Sequence, residues 1–187
     1  MELKKIILFL LLTSSLFAEA KLYFGANYGI IEESFLEDID AESSSNIASI
    51  KAGYGVREAY AIEISLEYRD NKAKIFSSDS DTDFDGDKYG MNINLVKAFD
   101  FDIYALPYIK AGFGSGFFEV ERILQNRLFY SSFNLGTGIF IPIDESLDFE
   151  IGYEYKYISY ESLDTIAEQI NYQSNSNIAY FGFNARF

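Results

Sequence analysis

The residues of this 187-residue chain best suited to chemistry are carboxylates. Asp81, Asp83, Asp85 and Asp87 alternate around Gly86. That is the pattern of the first half of a calcium loop, in which alternate carboxylates turn inward and the glycine permits a sharp bend. Asn92 stands where such a loop needs a bidentate Glu. The run is therefore read as a solvated acidic tip, with weak divalent-cation binding as the sharper alternative, and neither a dedicated metal nor any other cofactor is expected. Glu119 and Glu121 are spaced for acid–base work, but two charges on a loop are usually just solvated. With no His and no Cys, the chain lacks both the usual base for a serine nucleophile and a thiolate. It is read as not an enzyme.

A second set of ionisable residues alternates with apolar ones. Along Tyr60 to Arg69, Tyr60, Ile62, Ile64, Leu66 and Tyr68 oppose Ala61, Glu63, Ser65, Glu67 and Arg69. Along Leu147 to Tyr157, apolar residues oppose Asp148, Glu150, Gly152, Glu154 and Lys156. A period of two is that of a pleated strand, so one face is polar and the other apolar. The same phase elsewhere adds Lys51, Lys110 and Arg186, and glycines such as Gly53, Gly112, Gly136 and Gly182 share the polar face. Facing one another in a narrow space, these balanced charges should pair, with the glycines leaving room for long side chains. The resulting network is Lys51, Glu63, Glu67, Arg69, Lys110, Glu150, Glu154, Lys156 and Arg186, centred on Glu63, Glu67, Lys110, Glu154 and Arg186 with no pairs assigned. The functional alternative is a small conduction path or proton relay. The structural reading is preferred, because eight strands leave little open water inside.

The elements that must position these residues are eight strands: Leu22 to Ile30, Ile47 to Val56, Tyr60 to Arg69, Tyr89 to Phe99, Tyr104 to Ser115, Tyr130 to Ile141, Leu147 to Tyr157 and Asn177 to Phe187. Connections alternate between short and long, as in bacterial barrels with tight periplasmic turns and long external loops. In the last strand Ala179, Phe181, Phe183, Ala185 and Phe187 share one face, opposite Gly182, Asn184 and Arg186. An open sheet in hydrocarbon would leave edge groups unpaired at several kcal/mol each, so the sheet must close. The fold class is thus all-β, an eight-stranded antiparallel up-and-down transmembrane barrel. Pro107 and Lys97 fit only if both lie near the periplasmic rim.

Residues 1–20 read as a cleavable signal peptide: Lys4 and Lys5, an apolar stretch from Ile6 to Phe17, then Ala18-Glu19-Ala20. Residues 21–187 form one domain. Aromatic residues make up 18% of the chain, with 15 Tyr, 18 Phe and no Trp, which suits an interfacial girdle. A net charge of −14 argues against nucleic acid as a partner. Much of it lies in the expected external loops, including Glu32, Glu33, Glu37, Asp38, Asp40 and Glu42 in the first.

Pro107-Tyr108-Ile109-Lys110-Ala111-Gly112-Phe113-Gly114 resembles the Pro-Tyr-x-x-x-Gly-x-Gly strand of the outer-membrane β-barrel family that includes opacity-type proteins and the transmembrane domain of outer membrane protein A. Gly136-x-Gly138 followed by Pro142, the strand from Phe149 to Tyr155, and Gly182 with the terminal Phe187 look like that family's later strands. The resemblance implies a terminal strand, with Phe181, Phe183 and Phe187, that is read by the barrel-assembly machinery. It carries over no catalytic residues. The expected location is the cell outer membrane, among outer-membrane lipid and lipopolysaccharide, with an extracellular ligand left open. The expected role is surface interaction, adhesion or envelope integrity through acidic loops, and the alternative is a narrow porin-like channel for ions or small solutes.

Overall fold

The computed structural model describes residues 20–36, 42–72, 85–119, 127–161, 163–164, 169–170 and 173–187. The signal segment before Ala20 lies outside the described residues, as do Glu37, Asp38, Asp40, Asp81, Asp83 and Glu121. Eight long strands form the body: β1 (Lys21–Phe35), β2 (Glu42–Val56), β3 (Tyr60–Lys72), β4 (Asp85–Ala98), β5 (Leu106–Glu119), β6 (Arg127–Pro142) and β7 (Leu147–Tyr160), then, after the small hairpin β8 (Leu163–Asp164) and β9 (Gln169–Ile170), β10 (Gln173–Arg186). Each long strand pairs antiparallel with its sequence neighbours, and β10 pairs with β1 to close the barrel.

The register fixes the barrel's dimensions. Stepping across partners from Tyr23 leads through Gly53, Glu63, Asn94, Gly112, Asn134, Lys156 and Ser176 to Glu33. The path returns to β1 ten residues further along, at 33 instead of 23. With eight strands about 4.8 Å apart and a rise of about 3.3 Å per residue, that shear tilts the strands by roughly 40° and gives a backbone radius of about 8 Å. Each residue then climbs about 2.5 Å along the axis, which puts Glu33 about 25 Å above Tyr23. This is the height of the apolar band of an outer-membrane barrel.

Outward residues form that band. Ile50, Ile62, Ile93, Leu95, Ile109, Phe113, Ile151 and Phe181 are all exposed, a continuous apolar girdle that no water-soluble monomer displays. Rings cluster toward its edges, as in the ladder of Tyr68, Tyr89 and Phe117 across β3, β4 and β5. Lys97 lies at the short-turn end, where its ammonium reaches the Glu58 carbonyl at 3.0 Å and leaves the apolar zone. Pro107 is the second residue of β5, also at the short-turn end, and its carbonyl accepts from the Phe99 amide at 2.8 Å. Acidic side chains fold the short turns locally: Asp144 accepts from the amides of Ser146 and Leu147, and Asp100 from that of Asp102, whose φ is 57°.

The strands run further than their apolar alternation. β1 continues to Phe35, β2 begins at Glu42, β4 at Asp85 and β10 at Gln173, all beyond the expected ends on the long-loop side. Outward positions there are polar, such as Glu32, Ser34 and Asn175, so the hydropathy signal stops while the backbone ladder continues. Conversely, β5 starts at Leu106, leaving Tyr104 in the turn with its hydroxyl on the Pro142 carbonyl at 2.5 Å.

Candidate functional site

The barrel interior holds the ionisable groups in stacked layers. At the short-turn end Arg57 reaches up from the first turn, whose shape is held by Ala98 N–H donating to the Arg57 carbonyl at 2.7 Å. Its guanidinium lies between the rings of Tyr23 and Phe140, 4.5 and 4.1 Å from their centroids. It donates to Asp148 at 2.5 Å, and Arg186 pairs with the other oxygen of Asp148 at 3.0 Å. Tyr108 stacks on Phe140 at 4.3 Å, and Val96 and Ala98 complete this buried floor.

Above it, Lys51 bridges Glu150 at 2.5 Å and Glu63 at 3.2 Å. Glu150 also accepts from Tyr108 at 2.7 Å and from Asn184 at 2.8 Å, while Tyr23 donates to Glu63 at 3.1 Å. Tyr108 and Tyr180 meet hydroxyl to hydroxyl at 2.6 Å across the barrel. Glycine makes that crossing available: a Cβ on Gly152 would sit 2.4 Å from the Tyr180 ring and 2.5 Å from the Tyr108 oxygen. Lys110 pairs with Glu154, and Lys156 joins Glu154 at 3.3 Å to Glu67 at 2.5 Å. Amide and hydroxyl groups of Asn92, Asn134, Ser65 and Ser132 fill the same depth and bond to one another.

Near the long-loop end Glu33 is fully buried. Its carboxylate accepts from Arg69 and Lys88, both at 2.7 Å, from Tyr160 at 2.6 Å and from Ser174 at 2.5 Å. The Lys88 ammonium lies 5.0 Å from the ring centroids of both Phe118 and Tyr160. Two small cavities of about 20 Å³ each separate the layers. Each has room for about one water. A wider recess of about 450 Å³ lies at the short-turn mouth beside Lys21, Arg57, Glu58 and Arg186.

Of the residues singled out by sequence, Lys51, Glu63 and Glu150 come together in one group, and Glu67, Lys110, Glu154 and Lys156 in the next. Arg69 is in the upper layer. Arg186 is not at the centre, where it was expected, but on the floor with Asp148, because it is the last residue of β10 and so lies at the barrel's end. Sequence reasoning missed Arg57, read as a turn residue, and Glu33 and Lys88, read as external loop. Their phase carried the signal: Glu33 continues Tyr23, Gly25, Asn27 and Gly29, Lys88 precedes Gly90 and Asn92, and Arg57 follows Gly53 and Gly55.

The acidic run does not form a loop where it is described. Asp85, Gly86 and Asp87 lie in β4, with Gly86 paired opposite Asn71, and Asn92 is inside the barrel donating to Ser65 at 3.2 Å. An extended strand separates Asp85 from Asn92 by roughly 23 Å, whereas calcium ligands converge to about 2.4 Å from one ion. Asp87 instead accepts from the Tyr68 and Tyr89 hydroxyls at 3.1 and 3.4 Å. Among the described residues no three ligating side chains cluster. At the chain end, Phe181 and Phe183 lie on the outer face and Phe187 packs edge-on to Phe24 at 6.1 Å.

A family model for the outer membrane protein β-barrel domain matches residues 6–187. The chain belongs to this outer-membrane barrel family. Among solved structures it resembles Neisserial surface protein A, with a TM-score of 0.69 and 17% identity over 90% of this chain and 99% of that one. It also resembles OprG from Pseudomonas aeruginosa, with a TM-score of 0.60 and 10% identity over 90% and 96%. A third is Ail of Yersinia pestis in complex with the heparin analogue sucrose octasulfate, with a TM-score of 0.53 and 14% identity over 90% and 99%. At these identities the likeness is one of fold. No curated protein matches the chain. In an outer-membrane barrel the short turns are periplasmic and the long connections external, so the Arg57 layer is the periplasmic floor and the Glu33 layer the external ceiling.

Proposed function

We propose that this outer-membrane barrel is a non-enzymatic, non-conducting scaffold that displays acidic loops for surface interaction. The observation that carries the reading is the filled interior: Tyr23, Tyr108 and Phe140 are each 1% exposed at the periplasmic end, and Glu33 is 0% exposed at the other. A barrel of about 8 Å radius packed with paired side chains has no lumen to conduct through. Function then falls to the external connections. The first of these carries Glu37, Asp38 and Asp40 without a basic residue, and the second carries Asp79, Asp81 and Asp83.

That charge also bears on the partner. Ail is seen with a sulfated heparin analogue, but acidic loops repel polyanions, so the partner that suits this chain is a basic surface. Reconstitution in planar bilayers at high protein load is expected to show no discrete conductance steps. Reproducible steps would replace this reading with the narrow porin-like channel. An adhesion assay with loop deletions addresses the positive half: the barrel should still assemble while binding is lost, and binding that survives removal of all four external loops would refute it.

A further inference from the structure

Two arginines at the periplasmic mouth carry hydrogen-bond donors without acceptors among the described residues. Arg57 is 4% exposed, and its Nη1 donates to Asp148, but its Nε and Nη2 are buried and unpaired. Arg186 Nε is likewise unpaired, although Arg186 Nη2 meets Asp148 at 3.0 Å. Buried donors on a charged group are costly to leave without an acceptor. Both side chains line the recess of about 450 Å³ at the short-turn mouth, where Lys21, Tyr23 and Glu58 join them. By contrast, the two cavities deeper in the barrel hold about 20 Å³ each, room for about one water.

We propose that this recess is a binding site for the carboxylate of a water-borne periplasmic ligand, centred on the unpaired edge of Arg57. Nε and Nη2 form one edge of the guanidinium, and their parallel N–H bonds match the two oxygens of a carboxylate. The edge is fixed before any ligand arrives. The rings of Tyr23 and Phe140 flank the guanidinium at 4.5 and 4.1 Å, Asp148 holds Nη1, and the Arg57 carbonyl accepts from the Ala98 amide at 2.7 Å. Preorganisation of this kind lowers the cost of binding. Arg186 is set by its own amide, which donates to the Ser146 carbonyl at 2.6 Å, and Lys21 adds an exposed third cation at the rim.

Charge and position narrow the ligand. Three cations, Lys21, Arg57 and Arg186, stand against two carboxylates, Glu58 and Asp148, which leaves one positive charge for a single carboxylate to neutralise. A phosphate monoester carries close to two negative charges at pH 7 and overshoots that balance. A phospholipid phosphodiester has the right charge but the wrong place. Lys21, Tyr23, Gly55, Arg57 and Arg186 all continue the inward phase of their strands, so the recess opens inside the wall, away from lipid. Its volume is about fifteen times the ~30 Å³ share of one water in the liquid, enough for a ligand of dipeptide size.

Nuclear magnetic resonance of the barrel in phosphatidylcholine nanodiscs reads Arg57 directly. The chain has five arginines, Arg57, Arg69, Arg122, Arg127 and Arg186, so labelled arginine gives five Nε–H signals, and Arg57→Lys assigns one by its loss. N-acetyl-dialanine should move the Arg57 signal saturably and leave that of Arg69 in place, while the C-terminal amide of the same peptide should move neither. Arg57→Lys keeps a cation for Asp148 but has no forked edge, so affinity by calorimetry should fall about tenfold or more, with compact migration of unheated samples retained. Arg186→Lys, which leaves Arg57 on Asp148, should weaken binding about threefold and serves if Arg57→Lys does not assemble. An Arg57 signal that stays still up to the solubility limit of the peptide, equal movement by the amide, or tighter binding of inorganic phosphate would overturn the carboxylate site. Movement on replacing phosphatidylcholine by phosphatidylglycerol, with no peptide present, would assign the edge to lipid headgroups and overturn the water-borne ligand.

Discussion

Adjacent residues Glu32 and Glu33 offer the sharpest test of the interior. Both belong to the acidic stretch that sequence assigns to the first external loop. In the structure Glu32 is exposed on the outer face and Glu33 is fully buried, with two cations and two hydroxyls on its carboxylate. Glu33→Ala removes four hydrogen bonds to the carboxylate, the two from cations worth roughly 1.5–3 kcal/mol each, and takes away the negative charge that Arg69 and Lys88 share. Water entering the vacancy recovers part of this, so the expected loss is about 3–5 kcal/mol, the usual magnitude for breaking a buried pair. Glu32→Ala should change stability by less than about 0.5 kcal/mol, as at ordinary surface positions. Urea unfolding of the barrel in lipid vesicles, followed by Tyr fluorescence and gel mobility, measures both. Adding Lys88→Met to Glu33→Ala should recover about 1–2 kcal/mol, since it removes one of the two like charges that shared the carboxylate. Equal, small effects of the two alanine variants would mean that β1 does not carry Glu33 inward, and the ceiling would have to be abandoned.

Other consequences follow from the same geometry. Ile93 lies at mid-height on the lipid face and is 52% exposed, so Ile93→Arg should lower stability in vesicles by about 2–4 kcal/mol. Gly152→Val would drive its side chain into the crossing of Tyr108 and Tyr180 and should abolish compact, heat-modifiable migration. Phe187→Ser should reduce the assembled fraction in cells more than it lowers stability in vesicles, where loss of the contact with Phe24 is worth about 1–2 kcal/mol; equal loss in both settings would argue against a recognition role for the terminal ring. Calcium titration should return no heat above dilution, because Asp85 and Asp87 are held on an extended strand.

The closed barrel was legible in the order of residues because lipid and interior demand opposite chemistry at successive positions. Tyr60 to Arg69 and Leu147 to Tyr157 announce their strands without reference to any partner. The same alternation placed Glu63, Glu67, Glu150 and Glu154 on the inner face, and it located Lys97 and Pro107 near a rim. It failed at the strand ends, where Glu32 and Asn175 face water, both faces are polar, and the period carries no contrast. That is why the period by itself leaves Glu33 and Lys88 in the loops. Which charges meet was decided only by the shear of ten residues. The shear sets Lys51 level with Glu63 and Glu150, lifts Arg69 to Glu33, and lowers Arg186 to Asp148. Partner choice inside a cylinder depends on relative height, and height is a property of how strands slide past one another, to which the hydropathy of any single strand is blind.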